Sequence, residues 1–358
     1  MHQIQIAQPM LGDAEKQSVM EVLDSGQLVQ GQKVAEFEAG FAAYCQTKHG
    51  VATTNGTTAL TVALMAYDIG RDDEVIIPSF TFIATATSVL SAGAKPVFVD
   101  IEDQTFCIDP HLIEAAITKR TKAIMPVHLY GQPACMQVIA AIAEKHGLAI
   151  IEDAAQAHGA AINGEPVGGW GMAAFSFYPS KNMTTGEGGM VTTASDALAE
   201  KARMIRNHGM SQQYFHEVVG FNFRMTNIMA AIGVVQLQKL ESWNEKRIAN
   251  AAYLTENLKT VRPPVIADGC RHVFHQYTVL TSEGTNRDAM VKRLNERGIG
   301  VRVYYPLPVH EQPVFKTMGY SPQLPVTENL TARVFSLPVH PGLSQDDLER
   351  IVHEVNSL

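Results

Sequence analysis

Seven short β-rich segments, most of them separated by helical patterns, occupy residues 49 to 195 and limit the possible folds more than any other feature of the chain. They are HGVATT, DEVIIPS, KPVFVDI, KAIMPVHLYG, LAIIED, MAAFSFYP and GGMVTTAS. This alternation predicts an α/β fold with a largely parallel sheet covered by helices. A loop without a helix joins the last two segments, so we predict that one of them runs antiparallel to the others.

The pattern changes after Asn227, where a long helix is predicted. Its apolar residues fall on one side: Ile228, Ala231, Ile232, Val235 and Leu240. Beyond Pro263 we predict strands near VFHQYTVL and GVRVYYP and helices near 286–297 and 345–356. A chain of 358 residues is long enough for two domains. We therefore predict a large α/β domain over residues 1–245 and a small C-terminal α+β domain over residues 246–358.

Composition argues against several classes of function. The net charge of -8, the pI near 5.9 and the lack of a basic cluster argue against nucleic-acid binding. The four cysteines have no zinc-site spacing, so we expect no metal and interpret them as reduced thiols of a cytoplasmic protein. The chain shows neither a secretory leader pattern nor a run of about 18 apolar residues, which disfavours secretion and membrane spanning.

Polar residues follow two of the predicted strands. In an open parallel sheet, ligands bind beyond the carboxyl ends of the strands. After the first strand, Gly56 allows close backbone approach, and Thr57 lies at a helix start whose free N–H groups favour an anion. Asp153 ends the LAIIED strand, with Gln156 three residues later, and a carboxylate there could hold a protonated ring nitrogen.

Lys181 is the only Lys or Arg between His146 and Glu200, and it lies in the polar, glycine-rich segment SFYPSKNMTTGEGGM. A desolvated lysine on such a loop has a lowered pKa and can form a Schiff base. Ser176 adds a hydroxyl that could reach a phosphate.

Taken singly, these features have ordinary interpretations: helix caps at Gly56 and Asp153, and an exposed surface position for Lys181. Taken together, they supply partners for the phosphate, the ring nitrogen and the aldehyde carbon of pyridoxal 5'-phosphate. The combination therefore predicts a site for this cofactor.

The same segments resemble the sugar aminotransferases of the DegT/DnrJ/EryC1/StrS group, within the fold type I (aspartate aminotransferase-like) enzymes. The resemblance runs nearly end to end, through SGQLVQGQKVAEFEAGFAAY, NGTTAL, DEVIIPSFTFIATA, GAKPVFVDI, RTKAIMPVHLYGQ, IEDAAQAHGA, FSFYPSKNMTTGEGGM, GFNFRMTNIMAAIG and FSLPVHPGLS. It implies a mostly parallel seven-stranded sheet in the large domain. Asn55 departs from the serine of many relatives but leaves Gly56 and Thr57 in place.

The resemblance also implies a role for each matching residue. Lys181 would carry the Schiff base and move the proton, and Asp153 would pair with the ring nitrogen. The other implied cofactor contacts are Gln156 to the ring hydroxyl, Gly56, Thr57 and Ser176 to the phosphate, Phe82 stacked on the ring, and Asn222 reaching the partner subunit's cofactor phosphate. Tyr178, Tyr305 and His310 match segments that face the sugar. Core, turn or structural positions remain alternatives for Phe82, Asn222 and the three sugar-facing residues.

We therefore expect a homodimeric, cytoplasmic transaminase with shared active sites. It would move an amino group from L-glutamate to a nucleotide-linked 3-keto or 4-keto deoxy-hexose, for surface polysaccharide such as lipopolysaccharide O-antigen or for glycosylated metabolites. A branch of the family with histidine in place of the lysine is a dehydratase, so Lys181 favours transamination. The alternatives are a lyase or desulfurase of the same fold, an aminotransferase for an amino-cyclitol or other ketose, and a non-enzymatic regulator.

Overall fold

The computed structural model describes residues 2–358. The α-helices are α1 (Asp13–Ser25), α2 (Gln32–Tyr44), α3 (Gly56–Ala66), α4 (Ala84–Ser91), α5 (Pro110–Ala116), α6 (Met136–His146), α7 (Asp196–Arg206), α8 (Asn227–Asn257), α9 (Arg287–Glu296), α10 (Pro313–Thr317), α11 (Pro325–Thr331) and α12 (Gln345–Asn356). Short 3-10 helices lie at Leu129–Gly131 and Val309–Glu311.

The strands are β1 (His49–Thr53), β2 (Glu74–Pro78), β3 (Lys95–Val99), β4 (Thr121–Ile124), β5 (Ala149–Asp153), β6 (Ala161–Ile162), β7 (Glu165–Pro166), β8 (Met172–Ser176), β9 (Gly189–Thr193), β10 (Met210–Gln212), β11 (Phe215–His216), β12 (Val261–Arg262), β13 (Cys270–Arg271), β14 (Tyr277–Thr281) and β15 (Val334–Leu337). The seven strands predicted between residues 49 and 195 correspond to β1 to β5, β8 and β9.

A seven-stranded sheet in the order β1-β9-β8-β5-β4-β2-β3 forms the centre of the fold. β9 pairs antiparallel with both β1 and β8, and all other neighbours are parallel. Both the mostly parallel sheet and the single antiparallel strand are therefore confirmed. Because β1, β5 and β8 run in the same direction, the residues that follow them meet at one edge of the sheet.

Local sequence explains the helices that shape this edge. Asn55 caps α3, since its side chain accepts a hydrogen bond from the Thr58 N–H at 2.9 Å. The helix behind that cap is apolar, and its Leu60 and Leu64 are buried against the central sheet. Packing against the sheet thus fixes the start of α3 beside the ends of β1 and β8.

The C-terminal part has its own three-stranded sheet, β12-β14-β15, and its own apolar core. The long helix predicted after Asn227 is confirmed as α8, and the last two predicted helices are confirmed as α9 and α12. The strand predicted at GVRVYYP is wrong, because only Arg302 pairs, through a single bridge to Ser336. Pro306 and Pro308 lack N–H donors, so they cannot extend this pairing.

The predicted domain boundary at residue 245 falls inside α8, and the division into two domains stays a prediction. Within residues 2–358, no helix is both long enough and apolar enough to cross a membrane. The same residues contain no cluster of three or more His, Cys, Asp or Glu side chains that could bind a metal ion.

Candidate active site

Lys181 lies in the loop between β8 and β9, and hydrogen bonds fix the shape of this loop. The Lys181 N–H donates to the Tyr178 carbonyl at 2.9 Å, and the Thr185 N–H donates to the Phe177 carbonyl at 3.0 Å. Gly188 has φ 156°, and a Cβ there would lie 2.2 Å from Thr185 Oγ1, so only glycine fits this return. The lysine is therefore presented by an ordered backbone.

The Lys181 side chain is half-buried, and burial lowers its pKa to about 8 against the opposing attraction of Asp153. Desolvation disfavours the ammonium form, which explains the direction of this shift. Roughly a tenth of Lys181 is consequently in the neutral amine form at pH 7, far more than for a lysine with the ordinary pKa, and the neutral amine is the nucleophile.

Asp153 ends β5 with its carboxylate buried near Lys181. Burial raises its pKa, while hydrogen bonds from the Thr85 hydroxyl at 2.7 Å and the Ala155 N–H at 3.2 Å act in the opposite direction. The carboxylate keeps lone pairs for a further partner, and a cation would relieve the cost of its burial. Sequence reasoning missed Thr85, which lies 68 residues away in the chain.

Gln156 lies between two aromatic residues of the site. Its Oε1 accepts a hydrogen bond from the Tyr130 N–H at 2.8 Å, and its Nε2 donates to the Tyr305 hydroxyl at 3.0 Å. An amide nitrogen has two N–H groups, so one donor remains for a ligand. Tyr130 was also missed by sequence reasoning, and its φ of 58° turns its N–H towards Gln156.

Gly56, Thr57 and Ser176 form the anion-binding end of the site. A Cβ on Gly56 would lie 2.8 Å from the Ser176 Cβ, so the start of α3 is packed directly on the end of β8. Among residues 2–358, the N–H groups of Gly56 and Thr57 have no acceptor. Free N–H groups at a helix start favour an anion such as phosphate. The Asn55 side chain accepts its hydrogen bond from Thr58 as the helix cap, so it leaves the N–H groups of Gly56 and Thr57 free.

The remaining predicted residues differ in exposure and in which residues of the site they contact. Phe82 is 54% exposed, and its ring lies 6.1 Å from that of Tyr305, which brings both to the Gln156 side of the site. Tyr178 is 52% exposed on the lysine loop. His310 is buried, with its Nδ1 2.7 Å from Ser79 Oγ and its Nε2 3.6 Å from the Glu328 carboxylate, and hydrogen bonds join it to neither Lys181 nor Asp153. Asn222 is exposed on a separate loop, where it bridges to Asn207.

Two buried polar networks support the site, and neither was expected from the sequence. Asn182, next to Lys181, donates to Asn244 Oδ1 at 2.8 Å and to the Val273 carbonyl at 3.0 Å. Asn244 in turn donates to the His158 carbonyl at 2.8 Å, which ties the lysine loop to α8 and to the segment after Asp153. The second network joins His128 to Glu152 at 3.0 Å, with both side chains fully buried.

These residues fit pyridoxal 5'-phosphate by the chemistry of their free groups. Unpaired N–H groups suit the phosphate, a buried carboxylate with spare lone pairs suits the ring nitrogen, and a half-buried amine suits the aldehyde. The fold and the site define a fold type I enzyme that depends on this cofactor.

Comparison with known proteins gives the family. The model of the DegT/DnrJ/EryC1/StrS aminotransferase family matches residues 9–356, and the chain belongs to this family. The pleiotropic regulatory protein of Geobacillus stearothermophilus is 47% identical over 97% of this chain and 97% of its own length. UDP-N-acetyl-3-dehydro-alpha-D-glucosamine 3-aminotransferase of Acidithiobacillus ferrooxidans is 45% identical over 92% of this chain and 89% of its own length.

A solved structure gives the same family assignment. S. venezuelae DesV, crystallised in complex with a ketimine intermediate, superposes with a TM-score of 0.92 at 42% identity, covering 96% of this chain and 93% of that chain. The expected cofactor, pyridoxal phosphate, and the expected class, aminotransferase, are both confirmed.

Proposed function

We propose that this enzyme transfers an amino group from L-glutamate to a 3-keto or 4-keto deoxy-hexose attached to a nucleotide. The product would serve amino-sugar biosynthesis, for lipopolysaccharide O-antigen or another surface polysaccharide, or for a glycosylated metabolite. Membership of the aminotransferase family supports the reaction, and the named function of the Acidithiobacillus relative supports the substrate class. The observation that carries the proposal is the half-buried Lys181 with a lowered pKa near the Asp153 carboxylate.

Pyridoxal phosphate, when bound, supplies an aldehyde that takes up the amino group and a ring that withdraws electrons. Gly56 and Thr57 would hold its phosphate through their free N–H groups, and the Ser176 hydroxyl would add a third donor. The close approach of Gly56 to Ser176, where a Cβ on Gly56 would lie 2.8 Å from the Ser176 Cβ, supports this arrangement. We infer that the phosphate anchors the cofactor at this edge of the sheet.

Asp153 and Gln156 would set the electronic state of the ring. The Asp153 carboxylate would keep the ring nitrogen protonated, because a buried carboxylate favours a cationic partner. Gln156 would donate its free N–H to the ring hydroxyl. Phe82, exposed beside Tyr305, would cover one face of the ring.

Lys181 would act in both halves of the reaction. Its Nζ would first be released by the incoming amine and then take the proton from the donor carbon that bears the amino group. In the second half it would return a proton to the carbon of the sugar that becomes aminated. A pKa of about 8 suits both tasks, since acid–base catalysis is most efficient when the pKa lies near the working pH.

Tyr178 and Tyr305 are the proposed sugar contacts, because Tyr178 is 52% exposed on the lysine loop and the Tyr305 ring lies 6.1 Å from the exposed ring of Phe82. His310 belongs to the same proposal, and its Nε2 is the atom that could reach the sugar. That atom now lies 3.6 Å from the Glu328 carboxylate, so a sugar hydroxyl would have to compete with this contact.

We further propose a cytoplasmic homodimer with shared active sites. The β10–β11 hairpin and the segment after it carry exposed apolar side chains, including Tyr214 at 82%, Val219 at 73% and Phe215 at 60%. Exposed apolar groups of this kind mark interaction surfaces, and a second copy of the chain would cover them. Asn222 follows this segment and is exposed, as a residue that contacts a partner's cofactor phosphate would need to be.

The competing functions make different predictions. A regulator is the alternative suggested by the name of the Geobacillus relative, and an enzyme for an amino-cyclitol or another ketone is the second. Glutamate-dependent amination of nucleotide 3-keto and 4-keto sugars, followed by mass spectrometry, separates all three. Amination of free ketones alone would favour the second alternative, and no amination of any ketone would favour the regulator.

The role of Lys181 has a separate test. Wild type and Lys181→Ala are mixed with pyridoxal phosphate, reduced with borohydride and digested. We expect a cofactor-bearing peptide that contains Lys181 in wild type and a different absorbance spectrum for the variant. Equal spectra, with no adduct on Lys181, would contradict the assignment.

A further inference from the structure

Three of the four cysteines of the chain lie together in the fold, although they are far apart in the sequence. Cys107 lies in an apolar cluster against which Cys270 packs, and its Sγ donates a hydrogen bond to the Gln132 carbonyl at 3.5 Å. Burial raises the pKa of Cys270, and a negative charge on Cys135 raises it further, so these two thiols are close enough to interact. All of them are free thiols, and Cys45 lies apart in a different cluster.

Cys135 and Cys270 line the same cavity, which has a volume of about 130 Å³. Both cysteines are partly exposed. The exposed residues Gln137, Asn163 and Asp268 also line the cavity, so solvent reaches it. A water needs about 10–15 Å³ of such space, and several molecules of that size therefore fit beside the two thiols.

The charge of the cavity limits which oxidant can enter it. Within residues 2–358, the charged side chains that line it are Glu102 and Asp268, and both are acidic. The Thr105 hydroxyl donates to the Glu102 carboxylate at 2.6 Å, which holds that charge in place. Negative potential disfavours anionic oxidants such as glutathione disulfide. Hydrogen peroxide is uncharged and little larger than water, so the cavity suits a small hydroperoxide.

We propose that Cys135 and Cys270 form a reversible disulfide when a hydroperoxide is reduced in this cavity, and that the bond slows the enzyme. The Cys135 sulfur attacks the O–O bond of hydrogen peroxide, which leaves a sulfenic acid on Cys135 and releases water. The Cys270 sulfur then displaces the sulfenic hydroxyl, which leaves as water with the Cys270 proton. Each sulfur loses one electron, and the two peroxide oxygens gain both. A transient disulfide of this kind is compatible with a reducing compartment.

The surroundings of the thiols assign their order of reaction. Cys135 is the N-cap residue of α6, where the helix dipole favours a negative charge. Burial raises the pKa of Cys270, which suits this thiol to the second step rather than to the attack on the peroxide. Cys107 is fully buried, and burial raises its pKa to about 12, so it takes no part.

The two cysteines lie on segments that also contact the candidate active site. The segment after Cys270 is joined to the one before Cys135, because the Gln276 N–H donates to the Tyr130 carbonyl at 3.2 Å. The Tyr130 N–H in turn donates to Gln156 Oε1 at 2.8 Å. A disulfide holds its two Cα atoms within about 7 Å, so the bond narrows the cavity and draws the two segments together. We expect this shift to move Gln156, and the expected loss of activity rests on the proposed aminotransferase function.

Thiol mapping tests the bond itself. The full-length protein with bound pyridoxal phosphate is treated with a small molar excess of hydrogen peroxide and digested without reduction. Wild type should fall from four free thiols to two, with a linked pair of peptides that contain Cys135 and Cys270, and dithiothreitol should reverse the change. Cys135→Ser and Cys270→Ser should not form the linked pair, whereas Cys45→Ala should form it as wild type does. A sulfinic acid on Cys135 with Cys270 still free, or a disulfide between two chains, would overturn the inference.

The glutamate half-reaction, followed through the absorbance of the cofactor, tests the effect on the active site. Before oxidation, Cys135→Ser should match wild type. Peroxide should slow wild type about tenfold or more, the order expected when catalytic groups are slightly misplaced, and dithiothreitol should restore the rate. An unchanged rate in oxidised wild type, or an equal loss in Cys135→Ser, would overturn the control of activity by this disulfide. If reduced wild type took no amino group from glutamate, the proposed function itself would fail, whereas the thiol mapping would be unaffected.

Discussion

The hydrogen bond from the Thr85 hydroxyl is the contact of the Asp153 carboxylate that a substitution can remove with little change in side-chain shape. Thr85 and Asp153 are both buried, and the hydroxyl donates to Asp153 Oδ2 at 2.7 Å. Thr85→Val removes the donor while keeping the shape of the side chain. A hydrogen bond to a charged group is worth about 1.5–3 kcal/mol, which corresponds to a rise of roughly one to two units in the Asp153 pKa.

The direction of the effect follows from the state that the hydrogen bond stabilises. Burial already raises the pKa of Asp153, and Thr85 opposes that rise by donating to the ionised form. Without it, Asp153 becomes protonated at a higher pH and no longer holds the ring nitrogen. The acidic limb of the pH profile of kcat for the glutamate half-reaction should therefore move upward by about one unit or more. Affinity for pyridoxal phosphate should fall in the same pH range.

The matched controls are Thr87→Val, at a half-exposed position on the same helix, and Thr85→Ser, which keeps the hydroxyl. Both variants should keep the acidic limb of the pH profile of kcat at the wild-type position. An unshifted acidic limb in Thr85→Val, or a rate reduced equally at every pH, would refute the electrostatic role of Thr85 and leave only a packing effect.

Three further predictions concern the anion-binding end, the lysine loop and the lysine itself. Gly56→Ala places a Cβ 2.8 Å from the Ser176 Cβ, and about 1–3 kcal/mol of overpacking should lower the affinity for pyridoxal phosphate roughly 5- to 150-fold in a titration. Unchanged affinity would contradict the close packing of α3 on β8. Asn182→Ala leaves Asn244 Oδ1 without its donor, so denaturant unfolding should show a loss of about 1–3 kcal/mol, whereas Asn295→Ala, on the exposed face of α9, should lose less. Because the pKa of Lys181 is lowered, the folded chain loses the Lys181 ammonium proton at about pH 8, whereas the unfolded chain loses it near pH 10.5. The free energy of unfolding of cofactor-free wild type, relative to that of Lys181→Met, should therefore rise with pH between these two values. A difference between the two proteins that does not change with pH would contradict the lowered pKa.

The sequence predicted the features that depend on order along the chain. Alternation of strands and helices indicated the central sheet, and the lack of a helix beside Lys181 indicated the antiparallel strand. Asp153 and Gln156 could be found because residues that follow parallel strands meet at one edge, whatever the details of packing. The incorrect strand at GVRVYYP shows the limit of this reasoning, since an apolar alternation does not reveal whether a partner strand extends along it.

The rest of the site depends on contacts between distant parts of the chain. Nothing in the sequence distinguishes Thr85 from Thr87, and only the packing of α4 shows that the Thr85 hydroxyl reaches Asp153. Arg247 follows Lys246 in a charged stretch of α8, and only the packing of the segment between β13 and β14, whose Phe274 carbonyl accepts from Arg247, shows that Arg247 is buried and Lys246 is exposed. Neither residue belongs to a spacing or motif that would distinguish it in a sequence.

The most direct measurement of the central claim follows the amino nitrogen itself. L-glutamate labelled with nitrogen-15 is mixed with the enzyme, pyridoxal phosphate and a panel of nucleotide-linked 3-keto and 4-keto sugars, and the products are analysed by mass spectrometry. We predict a labelled amino-sugar nucleotide from at least one member of the panel with wild type, and none with Lys181→Ala. Absence of label from every sugar, or equal labelling by the two proteins, would contradict the account.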